Sequence, residues 1–209
     1  MSEKDQSNIY LWFDTEFTSL KLESAHLLQV ALVATDADLN RIAPPEQDFN
    51  CIVRVDDSVR VDPWVEANLS DLVARCRSDE ALAIEDVDRR LDQYLEELLG
   101  PSPKAIGMRP VIAGNSVHGD WALALRYLPS LIGRTHYRLL DVSGWKMVWK
   151  NALGEFVFDK DGDEMIRNYF PGEFNSPAGA HDAHFDVLAS ISELNFYRQH
   201  TEIQWPADD

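Results

Sequence analysis

The chain has 209 residues and a formal net charge of −17, from 36 acidic residues against 19 Lys and Arg. Its hydrophobic fraction of 45% suits one well-buried domain, and no apolar run reaches the roughly 18 residues that a membrane span needs. The acidic field argues against the basic stripe by which long nucleic acids are gripped, so an anionic substrate must be small or held by cations and a few local donors.

Residues 1–8 are polar, lack an apolar signal core and read as a flexible lead-in. Cys51 and Cys76 form no CxxC pair. A soluble, cytoplasmic protein without a disulfide framework is expected, with 1–209 as a single domain and 200–209 as a C-terminal tail. Ile9 to Glu16, Leu27 to Thr35 and Phe49 to Val55 read as three strands, from apolar runs and alternation. Asp36 to Asn40, between the second and third, reads as a hairpin turn. A long helix is predicted from Asp79 to Leu99, capped by Ser78 and stopped by Gly100-Pro101. Its Ile84, Val87, Leu91, Tyr94, Leu95 and Leu98 form one apolar stripe.

Val111 to Gly114 is a short buried strand. Asp120 to Leu131 reads as a helix with Trp121, Leu125 and Leu128 on one face. Tyr137 to Val142 is a further strand, and Ser143 to Leu153 a helix. Residues 154–180 read as a long loop rich in Gly and Pro, and Asp182 to Gln199 as the last helix. Three strands followed by alternating helix and strand imply an α/β fold. Its central sheet should be mixed, antiparallel at the start and parallel afterwards, with flanking helices.

Four acids and a histidine stand at the ends of these elements. Asp14 and Glu16 are two apart on the first strand, so they share a face. At the C-terminal end of such a strand that face opens toward the ligand crevice of an α/β sheet. Asp120 opens the helix after the fourth strand, and His181 and Asp186 bracket the start of the last one. Each alone would be ordinary: a strand-end pair, a first-turn acid, a helical acid, a loop histidine. Carboxylates brought together by folding repel one another unless they hold cations, so the set points to divalent metal binding and phosphate chemistry.

The pattern Asp-x-Glu, a second Asp, then His-x4-Asp resembles the DEDDh class of 3′-to-5′ exonucleases, of ribonuclease H-like fold. Within that class the chain is most similar to the oligoribonuclease family. FDTEFTSL, NSVHGDWALALRYLPSL, HYRLLDVSGWK and SISELNFYR follow the family's motifs in order, over roughly residues 9 to 200. The family's glycine before Leu20 is replaced by Ser19, its histidine near Asn68 is missing, and the stretch from Leu153 to Ala180 differs.

The resemblance implies two divalent ions, Mg²⁺ or Mn²⁺, on Asp14, Glu16, Asp120 and Asp186, with His181 as general base. His118 and His184 lie off the key spacing and read as supporting or surface residues. The resemblance also implies that Leu20 wedges against a terminal base and that Ser116, Arg138 and Ser143 enclose the 5′ phosphate. Tyr137 would be donated by a neighbouring subunit of a homodimer. Short single-stranded RNA or dinucleotides, cut to nucleoside 5′-monophosphates, are the implied substrates. Two other readings remain open: an exonuclease trimming longer single-stranded DNA or RNA, and a non-catalytic nucleic-acid-binding module.

Overall fold

The computed structural model describes residues 4–153, 157–159, 163–174 and 179–201. Strands β1 (Ile9–Phe17), β2 (Leu27–Asp36) and β3 (Phe49–Ile52) are followed by helices α1 (Pro63–Asn68), α2 (Ser70–Cys76) and α3 (Ile84–Leu99). Then come β4 (Val111–Gly114), α4 (His118–Tyr127), α5 (Pro129–Arg134), β5 (Leu139–Asp141), α6 (Val142–Leu153), α7 (Asp163–Tyr169) and α8 (Ala183–His200). The five strands form one sheet in the order β3-β2-β1-β4-β5. β1 pairs antiparallel with β2 and parallel with β4, and β4 pairs parallel with β5. The mixed α/β sheet expected from the sequence is therefore present.

Apolar residues alternate across the sheet and divide the core. Leu11, Phe13, Val30, Leu32 and Ile112 pack under α3, α4 and α5. Trp12, Ala31, Val33 and Ala113 pack under α6, α7 and α8. A third cluster joins Leu28, Ile52 and Val55 to α1 and α2. α8 runs from Asp182, whose carboxylate caps the amides of His184 and Phe185. It is apolar on most sides because helices and sheet surround it. Of the N-terminal lead-in, Gln6 is buried and its amide donates to the carbonyls of Leu99 and Pro101.

Several predicted boundaries are corrected. Ser78 does not cap the long helix, which starts at Ile84. Residues 81–83 are first drawn into a bridge beside β3, where Leu82 N donates to Ile52 O and Arg54 N to Leu82 O. The Ser78 hydroxyl instead closes the turn after α2. The helix expected over 120–131 is two helices, because Pro129 has no amide to continue the first. Leu128 faces the core as expected, but Leu125 is exposed, and Leu123 and Ala124 face the core in its place. The third strand ends at Ile52 and the fifth begins at Leu139. α1 and α2 were unexpected, and α7 lies within the segment read as a loop. The rest of 154–180 falls partly outside the described residues, as does the tail beyond Thr201.

Gly114 ends β4 beside β1. A Cβ built there would stand 2.8 Å from the carbonyl oxygen of Phe13, a backbone atom that cannot rotate away. Gly114→Ala should therefore push β4 from β1 just before Asp14. The expected loss is about 1–3 kcal/mol of stability, the cost of overpacking a fixed site. Urea unfolding of the two proteins measures it, and equal midpoints with equal slopes would contradict the argument.

Candidate active site

Asp14 and Glu16 lie on the α8 face of β1, with Thr15 between them pointing the other way. Thr15 is buried, and both its amide and its hydroxyl donate to Asp120 Oδ1, at 3.0 and 2.6 Å. Asp120 sits in the first turn of α4, where a helix N-terminus favours negative charge. It is 6% exposed, and burial pushes its carboxyl up to about 6 against the opposing effect of the Thr15 hydrogen bonds. Asp186 lies one turn into α8, and its Oδ2 accepts from the amide of His181 at 3.1 Å.

These elements converge on a cavity of about 370 Å³ whose walls include Asp14, Glu16, Asp120 and Asp186. Ligand atoms of Glu16, His181 and Asp186 lie within 4.8 Å of one another. The fold thus gathers all five residues singled out from the sequence. Hard carboxylate oxygens around a partly desolvated acid are a fitting donor set for Mg²⁺ or Mn²⁺.

A second cavity, of about 430 Å³, adjoins the first and shares Glu16, Phe17 and Leu20 with it. Trp64, Val65, Leu69 and His181 complete its mostly apolar wall. Leu20 is 88% exposed on the ridge between the cavities. Trp64 meets the His181 ring edge-on, with centroids 5.3 Å apart.

The other residues implied to contact substrate separate into two groups. Ser116 lines the first cavity, in a positive-φ backbone conformation, and its amide donates to Asp141 Oδ1 and Ser143 Oγ. Ser143 stands behind it, the two hydroxyl oxygens 3.1 Å apart. Tyr137 and Arg138 line neither cavity. Tyr137 is exposed and stacks on His136, with the Arg138 guanidinium over the Tyr137 ring at 5.7 Å from its centroid. His118, read as peripheral, lines the first cavity. His184 does not, and bonds Asp48 at 2.8 Å instead.

Two contributors escaped the sequence reading. Thr15 carried a usable signal, since a polar residue between two same-face acids must point toward the core on a central strand. Trp64 carried half of one. Asp62-Pro63 is a readable helix start, with the Asp62 side chain accepting from Trp64 N and Pro63 in the first turn, but nothing local says where that helix docks.

Fold and site together define a hydrolase of the ribonuclease H-like type, with acids at a sheet end. The family model described as an exonuclease matches residues 11–194. The probable oligoribonuclease of Schizosaccharomyces pombe is 30% identical over 195 residues, covering 91% of this chain and 67% of that protein. The oligoribonuclease of Idiomarina loihiensis is 30% identical over 207 residues, covering 96% and 98%. Among solved structures, cell-death related nuclease 4 matches with a TM-score of 0.62 at 17% identity, over 92% of this chain and 64% of that one. Pop2p of S. pombe, in a form with Mg²⁺ and Mn²⁺ bound, matches with a TM-score of 0.61 at 13% identity, over 91% and 83%. At those identities the structures speak for the fold. The chain belongs to the exonuclease family, in its oligoribonuclease branch.

The raised Asp120 carboxyl makes a signed prediction for the metal-free protein. Folding raises this group above its ordinary value of 3.8, so its charged form is penalised in the folded state. Its contribution to stability is intact below about pH 4 and is lost as pH rises through about 6. Asp120→Asn keeps an oxygen to accept both Thr15 bonds and removes the charge. The variant should match the parent near pH 4 and melt at or above it at pH 7–8, in chelator, while losing nuclease activity. A lower melting point at pH 8 would show that Asp120 is stabilised as a carboxylate.

Proposed function

We propose that this exonuclease hydrolyses short oligoribonucleotides, down to dinucleotides, from the 3′ end to nucleoside 5′-monophosphates. The observation that carries the reading is the pair of adjoining cavities, with the acids in one and an aromatic wall in the other. Asp14, Glu16, Asp120 and Asp186 would hold two divalent ions. Bound there, such ions stabilise charge on the attacking and leaving oxygens of a phosphodiester.

The side chains of the chain supply the rest. One nucleotide occupies each cavity, and Leu20 on the ridge separates their bases. Trp64 offers a face on which the terminal base stacks, and Val65 and Leu69 exclude water beside it. His181, between Glu16 and the Trp64 ring, accepts a proton from the attacking water. Ser116 and Ser143, held against each other and against Asp141, present donors at the opposite end, where the 5′ phosphate lies. The −17 charge fits so small a substrate, since a channel for long strands would need a basic track.

Tyr137 and Arg138 reach this site from a second subunit in the proposed homodimer. Their exposure supports it, as does that of Met147 and Val148 on α6, apolar side chains that an interface would cover. The free thiols of Cys51 and Cys76 suit a cytoplasmic location. No helix among the described residues is long and apolar enough to cross a membrane.

His181→Ala should lower kcat by about 10²–10⁴, the usual worth of a general base, and leave divalent-ion affinity nearly unchanged. Isothermal titration with Mn²⁺ alongside turnover of a dinucleotide separates the roles. Loss of metal affinity would make His181 a ligand instead. Trp64→Ala should raise KM for a dinucleotide by an amount equal to about 1–3 kcal/mol, the value of one stacked base, and change kcat less.

Substrate length is decided by side-by-side kinetics at one salt concentration. A 5′-phosphorylated dinucleotide should show the higher kcat/KM against a heptamer. Arg138→Ala should weaken that preference by about 1.5–3 kcal/mol, the value of a charged hydrogen-bond partner. Equal or better rates on the heptamer would assign the protein to trimming of longer strands.

A further inference from the structure

β2 is buried along nearly its whole length, and every residue from Leu27 to Ala34 is apolar except Gln29. Gln29 is 2% exposed and stands opposite Glu16 in the β1–β2 register. A buried amide in such a strand is costly unless all its hydrogen bonds are made, and an aliphatic residue would serve the sheet as well. The Gln29 bonds are complete. Its Nε2 donates to Asn50 Oδ1 and to Asp182 Oδ2, each at 3.0 Å. Its Oε1 accepts from the amide of Ala183 at 3.2 Å. Only one orientation of the amide meets both a carboxylate and an N–H on α8.

The two α8 contacts fall where a helix has free amide donors. Asp182 caps His184 and Phe185 with Oδ1 while Oδ2 is held by Gln29. Ala183, left out of that cap, is taken by Gln29 itself. On one side of this clamp is His181, in a positive-φ conformation that a histidine seldom adopts. Such a conformation persists only where its neighbours over-determine it. On the other side, Asp186 N donates to Asp182 O, closing the first turn.

We propose that Gln29 is a positioning residue for hydrolysis: by clamping Asp182 and Ala183 opposite Glu16, its amide sets where His181 and Asp186 stand relative to Glu16. The inference rests on the exonuclease reading of the site. Gln29 lines neither the acidic cavity nor the apolar one beside it. It acts through the start of α8.

A charge-swap cycle tests it. In Gln29→Glu, the new carboxylate faces the oxygens of Asp182 and Asn50. In Asp182→Asn, the new amide still caps α8 through its oxygen but turns a donor toward a donor. Each single variant should lose about 10–100-fold in kcat, the usual consequence of misplacing reacting groups by a fraction of an ångström to an ångström, with KM for a dinucleotide within about threefold of the parent. In the double variant the new amide donates to the new carboxylate, which also accepts from Ala183, and Asn50 flips to donate as well. The double variant should return to within about fivefold of the parent kcat. A double variant no faster than the slower single one, or single variants with parental kcat, would overturn the proposal.

Gln29→Leu provides a readout that needs no turnover and no buried carboxylate pair. Amide exchange at Ala183 should be at least about tenfold faster in it than in the parent, because the acceptor is gone and the helix start opens locally. Unchanged exchange would also overturn the clamp. A parent protein inactive on dinucleotides would count against the proposed function alone, since the exchange comparison stands without it.

Discussion

The position of β1 between an antiparallel and a parallel neighbour is the constraint on which the site depends. β2 fixes its register over its full length, and β4 holds only its first half. The C-terminal half of β1 therefore has an open flank on the β4 side. α4 enters that gap from below with Asp120, and α8 crosses the upper face with Asp186. Thr15 joins β1 to α4 through Asp120, as Gln29 joins β2 to α8 through Asp182. The acids come from elements that share no sequence neighbourhood, yet two side-chain links hold their helices to two paired strands.

Gathering like charges runs against folding, and the structure limits the conflict rather than removing it. Three of the four acids keep partial exposure, so water screens them until cations arrive. Asp120 is the buried member, and burial pushes its carboxyl up. Two donors from Thr15 offset part of that. The remainder favours neutralising the acid, by a proton or by a cation beside it.

A second polar network supports the opposite end. Glu193 is fully buried in α8 and accepts from Asn115 and from the Tyr197 hydroxyl, with Lys146 3.5 Å away. Asn115 in turn bonds Ser190 and Ser143. The residue next to it, Ser116, is thereby held in its left-handed conformation at the cavity wall. Satisfied buried networks of this kind rigidify a site because breaking any member leaves several groups unpaired. With the Gln29–Asp182 contacts this makes two polar networks anchored on α8.

Much of this was legible in the residues themselves. The first two strands, the fourth, and the last helix were readable because burial on both faces of a sheet imposes near-continuous apolar runs. The five catalytic candidates were readable because the chemistry tolerates few residue types at few spacings. The boundaries that failed did so where tertiary contacts override local signals, as when Leu82 bridges to β3 and delays the start of α3. α1 and α2 were missed because their apolar residues cover a sheet edge that only folding creates. The sequence alone singled out four acids and a histidine as candidates. Tertiary structure decided that Trp64 lies beside His181, that Thr15 reaches Asp120, and that Arg138 and Tyr137 stand outside the cavities. Those facts depend on helix docking and strand register, which arise from contacts between segments tens to hundreds of residues apart and leave no local periodicity to read.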